Sequence, residues 1–219
     1  STRVGQSRIF MTYDRTLGDL FTLAHELGHA YHGHVMRDLR GWARHYPMTL
    51  AETASIFAEQ LAIDAVLEDP SASSVARAAI LDSRMQNAAT FLLNIPMRFY
   101  FERTFYEERQ QGEVSVGRLK ELMLDAQRRC YGDTLEEGEL DPWFWASKLH
   151  FYISHFGFYN WPYTFGYLFS AAVYGRAKTE GPAFMPLFHE ILEATGTAQT
   201  TDLARDLLGE DLTDPAFWI

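Results

Sequence analysis

The stretch TLAHELGHAYHGH, Thr22 to His34, holds four histidines and one glutamate in thirteen residues. His25 and His29 are four apart, so on a helix they stand one turn above the other on a shared face. Two neutral imidazoles so placed can reach one divalent cation. Glu26 is rotated by about 100° from His25, off the ligand stripe but within reach of a water held on the metal. The arrangement is H-E-x-x-H, two ligands and a general base. Its chemistry is metal-assisted hydrolysis. The ion lowers the pKa of a bound water from about 15.7 toward ~7 and polarises a carbonyl, while Glu26 takes the proton and returns it to the leaving amine. Gly28 sits inside the motif, where it costs about 1 kcal/mol of helix propensity relative to Ala. A close backbone approach by another element would justify that cost.

A third ligand is required. A histidine six residues after His29 would complete one known pattern, but that position is Val35. His32 shares the face of His25 and His29 but lies roughly 10 Å along the axis from His25, too far for one ion. It reads as a residue supporting the ligands or facing substrate. Glu52, 23 residues after His29, is the better candidate, because two helices turning at Pro47 would bring it toward the motif. Thr49 and Glu52 also spell a T-x-x-E capping box, so ligand and cap both stand as readings. Ser55 and Glu59 continue the face of Glu52 at i+3 and i+7, which favours the ligand. Glu59 is then the acceptor for a ligand imidazole N–H. Two histidines and a glutamate suit one zinc ion per chain, with cobalt or manganese as substitutes.

The elements that must position these groups are nearly all helical. Thr16, with Asp19 in the first turn, caps a helix expected to run to about Arg44, before Pro47. A second helix ends at Pro70. A long one follows Ser73, kinks at Pro96 and ends at Gly112. Ser115 starts another, and short helices are expected over 183–194 and 201–208. Ser7 to Asp14, SRIFMTYD, reads as one marginal edge strand, which needs a partner to be stable. The expected fold class is mainly α, a zincin-like helical catalytic domain with one marginal edge strand near the N-terminus. Residues 1–219 read as a single catalytic domain. The chain opens on Ser1 rather than Met, which reads as a cut end.

Apolar residues make up 47% of the chain, enough for a sizeable core. The net charge of −10 argues against nucleic acid and anionic membrane surfaces as partners. No apolar run reaches the roughly 20 residues of a membrane helix, and no signal peptide is visible. A single cysteine, Cys130, excludes an internal disulfide and fits a reducing compartment such as the cytoplasm. Cys130 itself reads as a half-buried helix residue.

The pair TLAHELGHAYH and MTLAETASIFAEQL resembles the thimet oligopeptidase and oligoendopeptidase F family of zinc peptidases. That resemblance puts His25, His29 and Glu52 on the ligand positions and Glu26 on the general base. It extends through KLHFYI and FYNWPYTFGYLFS and so covers most of the chain. It implies an endopeptidase acting on short oligopeptides within a deep channel. In the aromatic stretch most side chains read as core, but a concentration of phenols and imidazoles also suits the wall of a polar cleft. The resemblance makes Tyr167 the donor to the developing oxyanion. It leaves either His155, twelve residues earlier, or His150, in KLHFY, as the substrate-facing histidine. Tyr159 and Tyr163 are further candidates for substrate contact. Family members are two to three times longer, which implies an upstream segment of the same parent protein, or a second copy of the chain, completing the cleft. The competing readings are a non-catalytic helical metal-binding module or an inactive fragment.

Overall fold

The structure, a computed structural model, describes residues 6–218. Among these the regular elements are all helical. Residues 7–14 form no strand. Phe10 is fully exposed, and no other strand is present among the described residues to give 7–14 a ladder, so its β-prone composition has nothing to pair with. The mainly α expectation holds and the edge strand does not.

The helices are α1 (Leu17–Val35), α2 (Met48–Ala51), α3 (Thr53–Glu68), α4 (Ser74–Ala89), α5 (Ile95–Arg109), α6 (Val116–Tyr131), α7 (Trp161–Glu180), α8 (Met185–Ala194) and α9 (Thr200–Leu203). α1 starts where its cap dictates. Thr16 Oγ1 accepts from the Asp19 backbone N–H at 3.1 Å, and the Asp19 carboxylate accepts from the Thr16 N–H at 2.9 Å. It ends at Val35, nine residues before the expected Arg44, and two short 3₁₀ turns, Met36–Asp38 and Gly41–Arg44, carry the chain toward Pro47. The long helix after Ser73 is interrupted. Thr90–Asn94 widens into a π-helical turn just ahead of Pro96, which sits in the first turn of α5. A proline lacks the N–H and crowds the preceding turn, and the widened turn absorbs both. Ser115 caps α6 by accepting from the Arg118 N–H at 3.2 Å.

The chain divides into two compact units, residues 1–81 with 165–219, and residues 82–164. The first is built around Leu50, Ala54, Phe57, Phe169, Val173, Phe184, Phe188, Ile191 and Leu192, all buried. Phe57 and Phe188 stack with ring centroids 4.2 Å apart. A smaller cluster of Phe21, Ile63 and Ile80 pins the other ends of α1 and α3. In the second unit Met97 and Phe101 of α5 pack on Leu122, Met123 and Ala126 of α6. Cys130, on α6, is half-buried and free.

Candidate metal centre

α1 and α3 cross at Gly28. A Cβ there would lie 2.4 Å from the Ala54 carbonyl oxygen and 2.5 Å from Ser55 Cα. Only a glycine lets the two backbones meet so closely, which accounts for Gly28 inside the motif. The crossing brings the start of α3 against the histidine stripe of α1.

Glu52 stands at the break between α2 and α3, with φ −92° and ψ 3°. No capping box forms at Thr49: α2 begins upstream of it, and the Thr49 hydroxyl faces Thr200 at 3.4 Å instead. With the cap reading gone, the carboxylate turns to α1. Glu52 Oε2 lies 3.2 Å from His25 Nε2 and 3.4 Å from His29 Nε2. The two imidazoles meet edge to face, with centroids 4.9 Å apart. The three ligating atoms fall within 4.8 Å of one another, and this trio is the one such group found among the described residues.

Several neighbours hold the trio. Ser55 Oγ donates to Glu52 Oε2 at 2.7 Å, and Ser170 Oγ of α7 donates to the Glu52 carbonyl at 3.1 Å. Gly166, one turn earlier on α7, leaves room for the Glu52 side chain, since a Cβ there would stand 3.4 Å from Glu52 Cβ. Glu59, one helical face along α3, lies 3.4 Å from His25 Nδ1. A proton on Nδ1 donated to Glu59 leaves Nε2 to face Glu52, donating to it while the ring is an imidazolium and offering a lone pair to an ion once that proton is lost. Sequence reasoning found Ser55 and Glu59 but missed Ser170 and Gly166. Their signal was a pair of small residues at i and i+4 among the aromatics of the first half of α7.

The charges agree with the geometry. Burial opposes an imidazolium at His25, yet the Glu52 and Glu59 carboxylates outweigh it and raise His25 to about 9. Burial works against the Glu52 carboxylate, but His25, Ser55 and His29 hold it below its ordinary value. Two imidazole nitrogens and a carboxylate oxygen, preassembled within reach of one point, could hold one divalent cation. The ligand side chains keep 22–30% of their exposure, which suits a centre open to solvent rather than a closed structural one. Glu26, half-buried beside His25, makes no hydrogen bond or ion pair with any described residue.

His32 does not support the ligands or face substrate. It is fully buried. Its Nε2–H points at Thr195 Oγ1, 2.9 Å, and the Leu192 carbonyl, 3.2 Å, and its ring stacks on Tyr46 with centroids 4.3 Å apart. It locks α1 to the end of α8. Seven residues of helix turn it almost back onto the ligand face, but α8 covers that end of the stripe.

Tyr167 belongs to the same unit as the trio, half-buried on α7 next to Gly166. The other candidates lie in the second unit. His150 gathers Tyr159 and Tyr163 around it, at ring separations of 5.4 and 6.3 Å, and the two tyrosines are 6.0 Å apart. Burial, reinforced by Arg98 and Lys148, lowers His150 from its ordinary value, so a neutral ring faces the phenols. His155 is exposed on a turn with φ +75° and makes no described ring contact with this group. Of the two histidines left open by the sequence, the structure groups His150 with the tyrosines.

The model of the family described as Peptidase family M3 matches residues 2–218. The chain is similar to the chromosomal oligoendopeptidase F of Lactococcus lactis subsp. cremoris, 30% identical over 172 residues, which cover 78% of this chain and 28% of that one. It is also similar to oligopeptidase PepF of Bacillus subtilis (strain 168), 24% identical over 209 residues, 94% of this chain and 30% of that one. Among solved structures it resembles oligoendopeptidase-F from Enterococcus faecium, with a TM-score of 0.72 and 23% identity over 92% of this chain and 36% of that one. The chain thus spans about a third of the length of these relatives.

Proposed function

The chain belongs to peptidase family M3, and on that premise we propose that residues 1–219 are the catalytic part of a zinc-dependent endopeptidase that hydrolyses internal bonds of short oligopeptides. The observation that carries the reading is the convergence of His25, His29 and Glu52 on one point, with Glu59 behind His25. His25 and His29 would hold the ion through Nε2, and Glu52 through Oε2. When bound, zinc would supply Lewis acidity to a peptide carbonyl and acidify a water.

The protein's own groups do the rest. Glu26 accepts the proton of the attacking water and passes it to the departing amine. Its freedom from other described partners supports that role. Tyr167 donates a hydrogen bond to the carbonyl oxygen as negative charge builds on it. His150, neutral and ringed by Tyr159 and Tyr163, offers hydrogen bonds to a peptide backbone; His155 takes no part in this reading. The names of the relatives support an oligopeptide substrate. The lone cysteine fits a cytoplasmic setting, and among the described residues no helix is long and apolar enough to cross a membrane.

Metal analysis of the purified chain, paired with a quenched-fluorescent peptide, tests the proposal. One zinc per chain and chelator-sensitive cleavage are expected. Stoichiometric zinc with no cleavage would favour the non-catalytic metal-binding module instead.

A further inference from the structure

The second unit carries a cationic cluster that the hydrolytic reading does not use. Arg98, on α5, is half-buried. Its Nε donates to Asn94 Oδ1 at 2.8 Å and its Nη1 to the fully buried Asn160 Oδ1 at 3.1 Å. Both partners are neutral amides. The guanidinium lies 5.3 Å from the centre of the Phe144 ring, and Lys148 Nζ lies 4.6 Å from the same ring centre. Neither cation has a carboxylate partner among the described residues, in a chain with 29 acidic and 19 basic side chains. Burial alone depresses Arg98, and the titratable groups near enough to offset it are Tyr131 and Tyr163.

Half-burying a guanidinium without a counter-ion costs desolvation that amides and a ring face repay only in part. Both cations lie against the one Phe144 ring without a carboxylate among the described residues, and an anion bound at the guanidinium would supply the missing charge. Arg presents a planar fork that matches a carboxylate oxygen pair. A carboxylated peptide also approaches a chain of net charge −10 against the overall field, so it needs a local cationic anchor. We propose that Arg98 and Lys148, beside His150 and Tyr163, form a site within the second unit that binds a peptide carboxylate. The choice of a peptide as the ligand rests on the peptidase reading.

The test measures equilibrium binding of fluorescent pentapeptides to the zinc-loaded full chain carrying Glu26→Gln, which prevents turnover. Three peptides are compared: a free C-terminal acid, its amide, and an amide with an internal glutamate. The acid should bind at least about tenfold more tightly than the amide, a typical loss for an unpaired charged group. Arg98→Gln should erase that preference and leave amide affinity within about twofold. Arg98→Lys, which keeps charge but not the fork, should restore part of it, and Lys148→Gln should weaken it. If the glutamate peptide recovers the preference, the carboxylate recognised is that of a side chain. Equal affinity for all three peptides overturns the proposal, as does an equal loss for acid and amide in Arg98→Gln, which marks a structural role. Turnover by the unmodified chain is followed in parallel. Its absence with the acid preference intact defeats the peptidase reading alone.

Discussion

The roles of individual side chains separate by what each substitution spares. Glu26→Gln keeps the size of the side chain and removes its basicity. It should retain zinc and lose turnover by about 10²–10⁴, the range of general-base contributions. Turnover near that of the parent would remove Glu26 from the mechanism. Glu59→Ala, by contrast, should weaken zinc binding by about 10–100-fold, because the His25 ring loses the acceptor that fixes its tautomer. Zinc titration against a competing chelator reads this directly, and unchanged affinity would make Glu59 a bystander. His25, raised to about 9 by Glu52 and Glu59, carries a proton at pH 7 that the ion must displace. Apparent zinc affinity should therefore fall as pH drops below about 9, by roughly tenfold per unit. A flat profile between pH 7 and 9 would contradict the assignment.

At the scale of helices, the centre depends on two backbones meeting at Gly28. Gly28→Ala should destabilise the protein by roughly 1–3 kcal/mol, as overpacking of a filled contact does. It should also weaken zinc binding more than a comparable core change elsewhere, because the displaced helix carries Glu52. Thermal unfolding with and without zinc separates the two effects, and wild-type behaviour in both would break the argument. His32 makes a second test. Burial lowers it to about 4 in the folded chain, against about 6.5 unfolded. The unfolded chain therefore binds more protons between those values, and stability rises with pH there. The contribution, on the order of 3 kcal/mol, is complete above about pH 6.5 and lost as pH falls toward 4. A His32→Phe variant should flatten that slope in urea unfolding; an unchanged slope would clear His32 of it. Local rules made much of this legible. Side chains alone gave the cap at Thr16, the stripe of His25 and His29, the meaning of Gly28 and the face shared by Glu52, Ser55 and Glu59. What stayed hidden came from tertiary partners. α8 buries His32, α7 supplies Ser170 and Gly166, and Asn160 reaches Arg98 from a distant segment. The helix end at Val35 and the missing strand at 7–14 likewise reflect packing and pairing that no local pattern encodes.

For the whole molecule, two compact units share one chain, and the first contains every residue of the proposed metal centre. A strong chelator should abolish peptide cleavage, and stoichiometric zinc should restore it. Restoration by magnesium alone would point to a different donor chemistry. The most direct measurement of the central claim is an anomalous difference map from zinc-soaked crystals. It should show one peak bonded to His25 Nε2, His29 Nε2 and a Glu52 oxygen at about 2.0–2.2 Å. Zinc seated elsewhere, or Glu52 turned away from a metal held by the two histidines, would contradict it.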